Sequence, residues 1–185
     1  MSCTRHKTCE KLQRLGAAHS AAVAAVFFYR KNINNWILSV GLENGGNYRG
    51  MYNLCAGKGE QSDNNQTGFC WLNCAIREFR EEFKIDAPFS NGIFDKYFKS
   101  SRGKIRFILH HRTPVFIAVL PNGTSRSPIK QKMQYDMMYS RDPSYREMAD
   151  FEYVFMDTGK QIEGKNIMLS SFADAVRKKI DLSKL

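Results

Sequence analysis

Glu78, Glu81 and Glu82 stand together in the run Arg77-Glu78-Phe79-Arg80-Glu81-Glu82-Phe83. On a helix, spacings of three and four residues put all three carboxylates on one side. At about 100° per residue, an apolar stripe of Leu72, Ile76, Phe79 and Phe83 lies roughly 135° away. The stripe can then bury while the acids stay together near solvent. Three like charges so close repel one another. A hard divalent cation with oxygen ligands reverses that penalty, and Mg²⁺ bridging to phosphate is the usual case. The competing reading is a charged amphipathic helix whose Glu/Arg face, Arg80 included, is laced by ion pairs. That reading leaves a glycine loop upstream and an acidic loop downstream unexplained.

The upstream loop is Ala56-Gly57-Lys58-Gly59-Glu60, and the downstream segment is Arg146-Glu147-Met148 followed by Tyr153-Val154-Phe155-Met156-Asp157. Together with Arg77, Glu78, Phe79, Glu81, Glu82 and Ile85, these residues resemble the landmarks of the Nudix hydrolase family, in family order. The box is divergent, loosely similar to that of virus-encoded decapping members. Arg77 lies about six positions further from Gly57 than the family spacing puts it. Phe69 stands where the family's isolated glutamate would fall, with Glu60 or Asp63 as alternative stand-ins. Lys84 replaces the glycine that usually leaves the helix with positive φ.

The resemblance implies an α/β (α+β) fold, the Nudix-type α/β/α sandwich with a mixed β-sheet. It implies hydrolysis of a diphosphate linked to another moiety, with Mg²⁺ or Mn²⁺ as cofactor. Metal ions bridging the phosphate oxygens remove their repulsion of a nucleophile and acidify a bound water. Glu78, Glu81 and Glu82 are the implied metal ligands, joined by the carbonyl of Ala56 or Gly57. Arg77 orients Glu78 by an ion pair, and Glu82 and Glu147 complete the catalytic set. Glu147 is the candidate general base, with Glu152 as its substitute and a plain surface glutamate as the alternative. Gly57 and Gly59 let the loop backbone come close to the site.

Lys58 is a candidate phosphate contact. The segment 124–146 interleaves Lys130, Lys132, Arg141 and Arg146 with Tyr135, Tyr139 and Tyr145. Aromatics that stack bases and cations that hold phosphates suit nucleotide or RNA recognition, and an accessory helix packing Met133 and Met137 on the core explains the segment equally well. The proline of ADP-ribose hydrolases is replaced by Lys99-Ser100-Ser101, and the NADH-type and coenzyme A-type motifs are absent. The expected partner is a phosphate-rich small molecule or an RNA 5′ end, so nucleic acid is a candidate partner and a membrane is not. Family members often form homodimers. Two alternatives remain: a diphosphoinositol polyphosphate hydrolase, and a degenerate Nudix-fold module that binds RNA or nucleotide without turnover. Beyond these two stands a third, an RNA-binding protein of unrelated fold.

Strands are expected at 21–29 and 36–42, joined by the Lys31-Asn32-Ile33-Asn34-Asn35 turn, and at 52–56 leading into Gly57. Further strands are expected at 93–98, 104–110, 114–120 and 152–157. Ser127-Pro128 opens a helix ending near Tyr139, and Ser171 with Asp174 caps a last helix running to Ile180. Residues 1–17 are a basic lead-in and 18–185 a single domain with the inserted helix at 127–140.

The 185 residues are 43% hydrophobic and 12% aromatic, a globular composition with room for a sizeable core. No apolar run reaches membrane-spanning length. Five cysteines without framework spacing fit a reducing, cytoplasmic compartment. Cys70 and Cys74 are expected as small buried residues, and Cys3, His6 and Cys9 as part of a flexible tail rather than a zinc site. A net charge of +10 attracts polyanions.

Overall fold

A computed structural model describes residues 4–18, 21–65, 68–83, 95–120, 126–141 and 143–185. Its framework is strand β1 (Ala21–Arg30), whose side chains alternate between two cores. Ala22, Ala24, Val26 and Phe28 face one and Val23, Ala25 and Phe27 the other. A near-continuous apolar run is what a strand covered on both faces requires. The remaining strands of the seven-stranded sheet are β2 (Asn35–Glu43), β3 (Tyr52–Asn53), β4 (Cys55–Lys58), β7 (Phe107–His110), β8 (Thr113–Leu120) and β9 (Met148–Phe155). Among the described strands the β1–β8 pair runs parallel and the other pairs antiparallel, so the sheet is mixed, as expected. A separate small hairpin pairs β5 (Asn64–Asn65) with β6 (Gly68–Phe69).

The sheet forks. The outer half of β1 pairs with β2 from Phe27 to Arg30, whereas its first half pairs with β4 from Ala21 to Ala24. β2 in turn pairs with β3 through Gly41 and Leu42 and carries β9 along its other edge. So β3 and β4 fill the gap between two diverging strands. Cys9 and Leu12 of α1 (Thr4–Arg14), the apolar side of α2 (Trp71–Phe83), and Ile129 and Met133 of α4 (Arg126–Tyr139) share one core. Ala173 and Val176 of α5 (Ser171–Lys179) belong to the other. This is a sheet between helical layers. Among the described residues no helix is long and apolar enough to cross a membrane.

Several elements depart from the sequence reading. Residues 95–98 form the short helix α3 (Asp95–Phe98) rather than the end of a strand; 93 and 94 lie outside the described residues. Phe98 is fully buried against Phe116, and its carbonyl accepts the Arg106 N–H at 2.8 Å, so tertiary packing overrides aromatic β propensity. The 104–110 strand shrinks to β7, and β9 starts four residues before the expected 152. The cap of α5 is Ser170, whose hydroxyl accepts from Ala173 N at 3.0 Å, not Ser171. The lead-in contains helix α1 in place of a flexible tail, because Cys9 and Leu12 find a place in the core. Cys9 Sγ lies 3.5 Å from Cys70 Sγ, while Cys3 and the His6 side chain lie outside the described residues. Lys84 and Ile85 lie outside them too, as do the side chains of Ser127 and Tyr145.

Candidate metal and phosphate site

α2 lays its apolar side on the sheet, with Leu72, Phe79 and Phe83 fully buried. That packing turns Glu78 and Glu82 inward as well, to 5% and 2% exposure. The expectation that the acids stay near solvent therefore fails for these two. They point into the seam where β4 enters the sheet. Glu82 accepts the Ala56 N–H at 2.9 Å. Glu78 lies against the backbone of Gly57, where a Cβ would fall 1.8 Å from its Oε1. Gly57 is thus required by a close approach, as the glycine loop suggested.

Glu147 completes the group. It follows a single turn of 3₁₀ helix (Pro143–Arg146) and precedes β9. Asn44 pins this corner: its N–H donates to Glu147 O at 2.8 Å and its Nδ2 to Arg146 O at 3.0 Å. Carboxylate oxygens of Glu78, Glu82 and Glu147 lie within 4.8 Å of one another, with Glu147 exposed and the other two buried. Glu43, at the end of β2, stands behind them and accepts from Asn53 Nδ2 at 2.9 Å.

The electrostatics record the crowding. Burial pushes Glu78 up to about 7, with Glu81 and Glu147 adding to the rise and Arg77 opposing it. Burial also holds Glu82 well above the usual carboxylate range, reinforced by Glu78, Glu43 and Glu147 and opposed by the Ala56 N–H. Glu43 is raised by burial and by Glu147. A cation with oxygen coordination relieves this strain, and a set of carboxylates suits the hard ions Mg²⁺ and Mn²⁺.

Arg77 is the clamp beside the cluster. Its guanidinium meets Glu78 Oε1 at 2.7 Å and Glu81 Oε2 at 2.9 Å. It donates to both oxygens of buried Asp63 at 3.1 Å and to Lys58 O at 2.8 Å. Burial works against the charge, but Asp63 and Glu78 hold its pKa raised. Glu81 is therefore joined to Arg77 and stands outside the trio. Asp63 serves the same clamp and caps its own 3₁₀ turn together with Glu60, which lies 3.4 Å from Arg77. Neither occupies a ligand position in the trio. Gly57 O faces Cys74 Sγ at 3.6 Å.

Beside the trio is a cleft of about 520 Å³, lined by Glu43, Asn44, Gly45, Met137, Arg146 and Glu147 among others. Lys58, Lys132, Tyr135 and Arg141 are not part of its lining. Tyr135 is 61% exposed and its ring sits 4.9 Å from that of Tyr139. At about 100° per residue both tyrosines lie on the side of α4 away from Met137. Glu152 is 1% exposed and committed to Lys130 and, at 2.9 Å, to Gln161 Nε2. Glu43 and Asn44 were not singled out from the sequence. An acid ending a buried strand just before a Gly/Asn-rich loop is the signal they offer.

No family model matches the chain, and no curated protein matches it. Solved structures do. Several of these are Nudix proteins. The Nudix domain of Shewanella oneidensis NrtR, complexed with ADP ribose, is 10% identical with a TM-score of 0.47, and the match covers 93% of this chain and 98% of that one. A Nudix hydrolase from M. smegmatis, RenU, is 10% identical with a TM-score of 0.46, covering 87% and 82%. A C. elegans Ap4A hydrolase in a binary complex is 11% identical with a TM-score of 0.46, covering 88% and 94%. Phe69 sits at the end of the loop that follows Gly57. Its ring packs 5.4 Å from that of Trp71, and a Cβ on Gly59 would fall 2.2 Å from it. That aromatic packs against the Gly59 backbone of the loop.

Proposed function

We propose that the chain is a divalent-metal-dependent hydrolase of the Nudix type, acting on a diphosphate linkage in a nucleoside diphosphate derivative. A nucleotide or a capped RNA 5′ end is the substrate class that a +10 chain favours. The observation that carries this reading is the trio: three carboxylates within 4.8 Å, two of them buried. Glu78 and Glu82 would hold Mg²⁺ or Mn²⁺, with Glu147 beside them as the base. When bound, the ion neutralises phosphate oxygens and lowers the pKa of a water.

The chain's own residues do the rest. Arg77 fixes Glu78 by an ion pair and ties it to the loop through Asp63 and Lys58 O. Gly57 leaves the volume that the Glu78 carboxylate occupies. Glu147, exposed on its turn, accepts the proton of the attacking water. The water oxygen bonds to one phosphorus, the bridging P–O bond breaks, and the bridging oxygen departs with the other phosphate. The chain forms a single domain whose core α1 shares, with α4 inserted between β8 and β9.

The test is phosphate or nucleotide release from a panel of nucleotides, capped RNA and inositol pyrophosphates, with Mg²⁺ or Mn²⁺ added. Turnover should fall at least about a hundredfold in Glu82→Gln while its circular dichroism and Tm hold. Phe69 in place of an acid favours a second reading, a binding module without catalysis. RNA binding with no turnover under either metal would establish that reading and end the first.

A further inference from the structure

Arg146 is out of keeping with the rest of the site. Two other cations near the acids are engaged: Arg77 contacts Glu78, Glu81 and Asp63, and Lys130 contacts Asp150 and Glu152. Arg146 Nε is buried and has no hydrogen-bond partner among the described residues, and its side chain enters no ion pair with them. With no acceptor among the described residues, the outer N–H groups of this guanidinium are left to meet an anionic ligand in the cleft that the residue lines. The residue lines the cleft beside Glu147, and Asn44 Nδ2 holds its carbonyl at 3.0 Å, which fixes the backbone from which it reaches.

We propose that Arg146 grips the outward phosphate oxygens of a diphosphate whose inward oxygens face the Glu78–Glu82–Glu147 trio. This rests on the functional reading above for the position of the diphosphate. The charges alternate along that line: acids, the cation they hold, the diphosphate, then guanidinium. Arginine suits the outer position because its planar fork meets two phosphate oxygens at once, which a lysine ammonium does not. The organic group attached to the diphosphate then lies along Met137, Pro143 and the Gly45-Gly46 backbone, the less polar walls of the same cleft. A thioether and a proline ring make a flat, adaptable surface for a ring system. Tyr135 and Tyr139, on the outer side of α4, take no part in this contact.

The experiment is calorimetric titration of the full chain with methylenediphosphonate, a diphosphate analogue whose bridge water cannot cleave, in the presence of Mg²⁺. Wild type, Arg146→Gln and Arg146→Lys are compared, with Tm recorded for each. The analogue should bind wild type, bind Arg146→Gln about tenfold or more weakly, and bind Arg146→Lys in between, with Tm held or raised. Equal affinity for Arg146→Gln and wild type overturns the assignment. So does failure of wild type to bind, or a loss of affinity that comes with a fall in Tm of several degrees in both variants. The two proposals separate cleanly. Weakened analogue binding in Arg146→Gln alongside a wild type that hydrolyses no diphosphate removes the enzyme reading and leaves the phosphate grip. Active wild type with an unaffected Arg146→Gln removes the grip alone.

Discussion

Glu147 and Glu152 stand five positions apart, and the fold gives them opposite chemistry. Glu147 is exposed beside two buried acids, whereas Glu152 is buried and spent on Lys130 and Gln161. Glu147→Gln should therefore lower kcat by about 10²–10⁴-fold with an unchanged urea midpoint, the signature of a lost general base. Glu152→Gln should do the reverse. It should cost about 2 kcal/mol in urea denaturation, since Lys130 and Gln161 lose a charged acceptor, and leave kcat near wild type. A kcat collapse in Glu152→Gln alone would exchange the two roles. The sequence reading ranks Glu147 first and Glu152 as its substitute but cannot tell which is buried, because that depends on where β9 begins and what packs on it. Glu81 shows the same limit. Its helical spacing matches that of Glu78, but Arg77 is drawn toward Asp63 from the lengthened loop and takes Glu81 with it.

At the level of elements, legibility follows hydrophobic pattern. β1, β2, β8 and α2 carry long apolar signals and sit where the sequence puts them. α1 does not announce itself, being polar overall, with Cys9 and Leu12 as the buried anchors of one side. α3 is misread because Tyr97 and Phe98 mimic a strand while the pocket under β8 selects a helical turn. Leu12 supplies the test. It is fully buried, so Leu12→Ala should cost about 2–5 kcal/mol in urea denaturation. A flexible lead-in would make the same change silent. The site was visible to the extent that it rides on α2 and the Gly57 loop. Glu43 and Asn44 were hidden because they arrive from β2, whose approach to Glu147 is set by its pairing with β9.

Across the whole molecule, the forked sheet explains why an acid cluster can be buried at all. β4 enters between diverging strands, brings the Ala56 N–H and the bare Gly57 backbone to α2, and leaves a seam where the carboxylates gather. The arrangement has a pH signature in metal-free protein. Glu78 moves from the usual 4.5 to about 7 on folding, and Glu82 is raised in the same direction. The folded chain then holds protons that the unfolded chain releases, so stability falls as pH rises from 4.5 through 7. With chelator present, Tm should be higher at pH 6 than at pH 8, and Mg²⁺ should recover the loss at pH 8. A Tm that rises from pH 6 to pH 8 in chelator would refute the crowding. The most direct measurement is Mn²⁺ uptake at neutral pH, followed by the electron paramagnetic resonance signal of the free ion. Wild type should bind Mn²⁺, and Glu82→Gln, with its Tm held or raised, should bind it about tenfold or more weakly. Equal uptake by the two proteins, or none by wild type, would contradict the claim that these acids exist to hold a divalent ion.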